Sequence, residues 1–258
     1  MDPPTTAAAT ETTTSSSSKR QLERDTEEII DSQTKRLKQQ QQQLLTSPPT
    51  TTTTRTKRLK QRATQQQPLK LLNTKVTDKF VFFYGSRAVF SQFHPATFVL
   101  DGQRYGCAEQ YMQHQKAVRF EDDDTAERIL RTPYPSKQKS LGRRVVNFKE
   151  AVWSAESIDV VKRGSRAKYS QNSEMKRQLF DTYPRVLVES SPTDKLWGIG
   201  LSYNDPKAED PSKWRGRNLL GMCLTDVRNQ LMEEEGLLSS STDVDTSSDV
   251  EKKTINEK

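Results

Sequence analysis

Glycine, cysteine, histidine and aromatic residues are all scarce in this chain of 258 residues, and the scarcity is uneven. None of its 10 glycines precedes Gly85, and its 9 Phe, 7 Tyr and 3 Trp all fall between Phe80 and Trp214. Hydrophobic residues make up 31% of the chain, against about 45–50% in an average globular domain. The first 75 residues hold nothing large enough to offset the entropy of ordering them, so they cannot build a packed core. Two cysteines, Cys107 and Cys223, are too few for a disulfide scaffold or a Cys-based zinc site. Two histidines, His94 and His114, stand too far apart in the chain for a metal-ligand pattern. No apolar run approaches the roughly 18 residues of a membrane span. The N-terminus lacks the charged-then-apolar order of a secretory signal. These absences point to an intracellular, reduced and metal-free protein, cytoplasmic or nuclear.

What is present divides the chain into three parts. Residues 1–75 form a low-complexity arm with 13 basic and 7 acidic residues. Residues 76–235 carry 25 and 22, one domain's worth of chain with only a mild positive excess. A Ser/Asp-rich tail follows, residues 236–258, and both ends read as disordered. The arm holds a repeat, Thr34-Lys-Arg-Leu-Lys-Gln-Gln40 and Thr56-Lys-Arg-Leu-Lys-Gln-Arg62. Basic clusters of this kind serve as signals for a nuclear import receptor or as weak nucleic-acid contacts. The plain alternative is a solvated arm with no dedicated partner.

Within the middle part, Phe80 to Tyr84 reads as a short buried strand, and Arg185 to Glu189 as another. Thr97 to Tyr105 is a hairpin signal, because Asp101-Gly102 supplies the positive φ angles of a two-residue turn. Helices are predicted at 108–119, 124–131, 136–141, 156–169 and 173–181. A last one, 219–233, carries Leu220, Leu224, Val227 and Leu231 on one face. The expected fold is a helix-rich α+β single domain with a few short strands. There is no βα alternation and no phosphate-binding glycine fingerprint.

Several residue types carry chemistry. Glu109 falls in a helix first turn, where backbone NH groups favour an ionised carboxylate. It is read either as a base or cation stabiliser, or as an ordinary first-turn residue. Lys116 lies two turns along the same face and suits either a substrate phosphate or solvent. Asp194, in a loop with Pro192, Gly198 and Gly200, suits ribose hydroxyls or a turn cap. Trp153 and Trp197 suit stacking on a planar base or burial in the core. Arg143 and Arg144 offer paired NH donors to a phosphate or form a solvated face.

Taken in order, the segments Phe90-Ser-Gln-Phe-His-Pro95, Ala108-Glu-Gln-Tyr-Met-Gln-His-Gln-Lys-Ala117 and Leu141-Gly-Arg143 begin a pattern. It continues through Trp153, Lys168-Tyr-Ser-Gln-Asn172, Leu187-Val-Glu-Ser-Ser-Pro-Thr-Asp194-Lys-Leu-Trp-Gly-Ile-Gly200 and Gly216-Arg-Asn-Leu-Leu-Gly221. Together they resemble the NADAR, or YbiA-like, domain over about residues 80–233. The resemblance implies a metal-independent, cofactor-free N-glycosidase that cleaves a ribose C1–N bond. It implies phosphoribosylamino-pyrimidine intermediates of riboflavin synthesis, or ADP-ribosylated guanine in nucleic acid, as the substrate. It places the catalytic glutamate at Glu109 and the functional tryptophan and aspartate at Trp153 and Asp194. Lys116, Arg143, Gln92, Trp197 and Gly198 are then the substrate-binding candidates. Many members have Asn at the position of Gln92 and His at that of Gln110, differences that bear on substrate subtype. Two rivals share the sequence: a nucleic-acid-binding protein with no activity, and an ADP-ribose-binding module that has lost catalysis.

Overall fold

The computed structural model describes residues 71–238 and six isolated helical positions between Arg24 and Gln42. Apart from those positions, residues 1–70 of the arm and the tail from Ser239 lie outside the described residues. So do the expectation that they are disordered and the import reading of the basic repeats. Residues 71–75 are described, and Thr74 opens the first strand.

The domain is helix-rich α+β, as expected. Strands β1 (Thr74–Val76) and β2 (Phe80–Phe83) open it, followed by the hairpin β3 (Phe98–Leu100) and β4 (Gln103–Tyr105). Five helices come next: α1 (Ala108–Arg119), α2 (Asp123–Arg131), α3 (Pro135–Gly142), α4 (Glu150–Ser170) and α5 (Ser173–Phe180). Strand β5 (Val186–Glu189), a loop with two 3₁₀ turns, and α6 (Leu219–Glu234) close the domain. The sheet order is β1-β2-β5, with β2 antiparallel to β1 and parallel to β5. The long crossover between the parallel pair contains the first five helices.

Every residue of β2 and β5 is buried because each face of the sheet is covered. Alternation sends Val81, Phe83 and Leu187 into the large core shared with the helices. Phe80, Phe82, Val186 and Val188 point the other way, onto Ile199, Leu201 and Trp214. At the hairpin, Asp101 and Gly102 have φ of 52° and 77°, the left-handed pair the turn requires.

Two elements depart from the sequence expectation. Strand β1 has no long apolar signature and exists by pairing with β2. Helix α4 starts at Glu150, six residues before the predicted 156. Its capping residue Lys149 makes no side-chain cap bond, so the usual start signal is missing. The extension makes Trp153 helical.

The Lys168–Asn172 segment staples α4 to the loop before the hairpin. Lys168 is buried, and its ammonium donates to the carbonyls of Val89 (2.7 Å) and Ser91 (3.0 Å). Burial pulls its pKa down to about 7. Gln171 donates to Val99 O (2.7 Å) and accepts from Val99 N (2.8 Å). Asn172 donates to Thr97 O (3.0 Å). These bonds hold the Phe90–Pro95 turn, whose Gln92 carbonyl in turn accepts from Glu109 N (3.0 Å).

Asn218 performs a second join. It caps α6 with φ 55°, is fully buried, and reaches β5 as an extra strand would. Its Oδ1 accepts from Glu189 N (2.9 Å) and its Nδ2 donates to Leu187 O (3.0 Å). Gly221 completes the approach, since a Cβ there would lie 2.1 Å from Leu187 O. Asn218→Ala strands one buried NH and one buried carbonyl of β5. Urea unfolding is expected to show a loss of about 2–4 kcal/mol.

Candidate active site

The carboxyl-terminal edge of the parallel pair β2–β5 is where open α/β sheets generally place ligands. Here the chain continues from β5 into Glu189-Ser-Ser-Pro-Thr-Asp194, and the start of α1 brings up Glu109. Ser190 is pinned to the end of β2, both its N and its Oγ donating to Phe83 O at 3.0 Å.

Glu109 is the second residue of α1 and only 4% exposed. Cys107 caps the helix, its Sγ accepting from Gln110 N (3.4 Å) and donating to Gln138 Oε1 (3.2 Å). One turn on, Gln113 donates from Nε2 to Glu109 Oε1 at 2.8 Å. Gly142 makes room for that amide, because a Cβ at 142 would sit 1.8 Å from Gln113 Oε1. The Leu141-Gly-Arg143 motif thus shapes the glutamate's setting in two ways. Its glycine admits Gln113, and its arginine adds positive potential at the carboxylate.

The helix-start position alone favours an ionised Glu109, but burial is the larger effect and pushes the carboxyl above its ordinary value. Lys139, the Gln113 donor and Arg143 oppose the rise, while the charge of Asp194 adds to it. The same burial makes the ionised carboxylate a stronger base and a stronger partner for a cation.

Asp194 divides its two oxygens. Oδ1 accepts from Leu196 N (3.0 Å) and Trp197 N (2.8 Å), the turn-capping geometry. Oδ2 faces the Lys139 ammonium at 3.8 Å. So Asp194 is both a cap and a charge in the Glu109 cluster. Gly198 packs where a Cβ would lie 2.9 Å from the carbonyls of Asp194 and Glu189. Its place in the motif is explained by that close approach. Trp197 is half-buried against the main core.

The structure does not gather every sequence candidate around Glu109. Trp153 is buried in the core. The Lys116 ammonium stands 6.0 Å from its ring and 3.8 Å from that of Phe148. Burial pulls the Lys116 pKa down. Lys116 itself lies on α1 two turns beyond Glu109. Gln92 is joined to Glu109 through its backbone carbonyl. Gln110 turns away, donating to the carbonyls of Ile129 and Leu130, both at 3.0 Å, and accepting from Gly106 N. That position therefore clamps the end of α2.

Two residues missed by sequence reasoning belong to the cluster. Lys139, on α3, is the cation nearest Asp194 and acts on Glu109 and on Glu189. Glu189 ends β5, is 8% exposed, and alternation points it to the same sheet face as Leu187. Burial and the Asp194 charge push its pKa up to about 8, against the pull of Lys139. A carboxylate closing a strand of Val and Leu was the available signal. Among the described residues no three His, Cys, Asp or Glu side chains are spaced to hold a metal ion.

With this geometry in hand, comparisons with known proteins are specific. Residues 82–232 match the NADAR domain family. Protein irg-1 of Caenorhabditis elegans is 40% identical over 180 residues, 64% of this chain and 85% of that protein. N-glycosidase R617 of Acanthamoeba polyphaga mimivirus is 39% identical over 165 residues, 60% of this chain and 97% of that protein. The NMR structure of the Escherichia coli protein YbiA aligns with TM-score 0.52 and 28% identity, covering 64% of this chain and 91% of that one. The glutamate at the start of α1, the capped loop after β5 and the matched span of residues 82–232 lead to one conclusion: this chain belongs to the NADAR domain family, which contains proteins named N-glycosidases.

Proposed function

We propose that this protein hydrolyses an N-glycosidic bond at a ribose C1, using Glu109 as the carboxylate that steadies the sugar cation and activates water. The observation that carries the reading is a nearly fully buried glutamate held by Gln113 beside Asp194, Lys139 and Arg143. Rupture of a C1–N bond places positive charge on the ribose ring, as glycoside hydrolysis does in general. A preorganised carboxylate in a dry site stabilises that charge, and its raised proton affinity suits it to accept a proton from the attacking water. Asp194 Oδ2, which faces Lys139 at 3.8 Å and caps nothing, suits a ribose hydroxyl. Names of relatives agree with this class: N-glycosidase R617, N-glycosidase YbiA, and a Vibrio vulnificus riboflavin biosynthesis protein, 26% identical over 165 residues, of which the match spans 41%.

The substrate is a phosphorylated N-riboside, either a phosphoribosylamino-pyrimidine or ADP-ribosylated guanine. Arg143 remains a phosphate candidate. Lys116, engaged with Phe148, is a weaker one. Lys195, directly after Asp194, and Arg215 are a further pair of candidates. Lys195 Cγ and Arg215 Cβ converge over Gly200, 3.4 and 3.0 Å from the point its Cβ would occupy. If the basic arm is an import signal, the guanine adduct is within reach of a nuclear enzyme.

Mass spectrometry of base released from each substrate tests the reading. Glu109→Gln is expected to lower turnover by about 10²–10³ while leaving the unfolding midpoint and product binding near wild type. Near-normal release by that variant would reject the assignment. Asp194→Asn keeps the turn-capping oxygen and removes the charge, whereas Asp194→Ala removes both. Both should lower turnover, and only the alanine variant should also lose stability, by about 1 kcal/mol. Unchanged kinetics in the asparagine variant would reduce Asp194 to a turn cap.

A further inference from the structure

Asp194 acts on both Glu109 and Glu189 across the candidate site; Lys139 faces Asp194 and acts on both glutamates, and Arg143 acts on Glu109. Both glutamates are almost wholly buried. Of two buried glutamates, the one with fewer donors and cations more readily keeps its proton. The partners decide which. Glu109 has the Gln113 amide at 2.8 Å and the fields of both cations. Asp194 accepts from two backbone NH groups and faces Lys139. The Glu189 carboxyl has no hydrogen bond and no ion pair among the described residues, although it is more than nine-tenths buried. Asp194, from the loop, and Lys139, from α3, are the charged groups that act on it. On the α6 side, Asn218 and Thr225, both neutral, hydrogen-bond to β5, and the α6 guanidinium of Arg228 bonds the carbonyl of Arg185 before the strand. The Glu189 backbone is fixed on both sides, N to Asn218 Oδ1 and O from Ile199 N, each at 2.9 Å.

We infer that Glu189 is the general acid of the reaction, holding the proton that the departing base nitrogen takes up. The inference rests on the hydrolase reading above and adds to it the group that frees the leaving base. In the step, the C1–N bond breaks with its electron pair remaining on nitrogen, and the Glu189 Oε–H proton passes to that nitrogen. Water oxygen then bonds to C1 and gives its proton to the Glu109 carboxylate. Glu109 ends protonated and Glu189 ionised, and exchange through solvent restores both. The upward shift of Glu189, to about 8, matches an acid that is protonated at neutral pH and fails in alkali.

The experiment is a pH–rate profile of kcat/KM for the full-length protein, with ADP-ribosylated guanine DNA and a phosphoribosylamino-pyrimidine as probes. Wild type is expected to lose rate above about pH 8, and Glu189→Gln to fall by about 10²–10⁴ near pH 7 and to lose that alkaline limb. Glu189→Asp, a shorter acid, should keep the limb at reduced rate, which a merely packed glutamate would not require. A second readout does not depend on turnover. Because the folded group titrates above its ordinary 4.5, the unfolded chain gives up this proton first as pH rises. Stability should therefore decline between about pH 4.5 and 8, and Glu189→Gln should flatten that decline. No base release by wild type from either probe overturns the hydrolase reading and this inference with it. Release by wild type with no alkaline limb, or a limb that survives in Glu189→Gln, overturns the role of Glu189 alone.

Discussion

The organising constraint of this domain is the burial of carboxyl groups at the edge of an apolar sheet. Glu109 and Glu189 are withdrawn from water almost as completely as the valines and leucines around them. An ion in that position needs donors or an opposite charge, or else it keeps its proton. The structure supplies each remedy in a different measure. Gln113 serves Glu109, backbone NH groups serve Asp194, Lys139 is shared, and Glu189 is left with the least. The result is two buried glutamates, both of raised proton affinity, with different sets of partners.

That arrangement depends on backbone packing away from the acids themselves. Glycines 142, 198, 216 and 221 each stand where a Cβ would collide with a neighbouring atom. Gly142 admits the Gln113 amide, while Gly198 and Gly216 let the loop after β5 lie against the loop before α6. In that double loop, Arg217 N donates to Lys195 O (2.9 Å), Asn218 N to Gly198 O (3.1 Å) and Arg215 N to Ile199 O (2.9 Å). Asn218 then ties the pair to β5. The segment that carries Asp194 is thus a loop in conformation but is held by as many bonds as a strand edge. A carboxylate must keep its place within a fraction of an ångström for electrostatic stabilisation to count, and this bracing provides it.

The helices behind the site play a similar supporting part. The Lys168–Asn172 end of α4 bonds the loop that bears Gln92, whose carbonyl receives the first-turn NH of Glu109. Gln110, beside the glutamate, spends its side chain on the end of α2. Much of the motif pattern therefore records how Glu109 is mounted. Trp153 is a residue for which the sequence left two roles open. Its spacing in the chain gives no hint whether it lines a pocket or fills the core, and its ring is buried beside Lys116 and Phe148.

Composition and periodicity were enough to mark out the helix-rich α+β class, the Asp101-Gly102 hairpin and the helices from 108 to 131 and 219 to 233. Those features follow from local rules: turn φ angles, 3.6-residue spacing and the clustering of aromatics. Glu109 was also legible, because a helix start and an ordered motif series both mark it. The early start of α4, strand β1, the company of Lys139 and the raised proton affinity of Glu189 were not. Each depends on neighbours distant in the chain. Lys139 lies 55 positions before Asp194 and Glu189 lies 80 after Glu109, and a proton affinity is set by what surrounds a group in space. Sequence specified which acids were available, and only the folded packing decided which would carry charge.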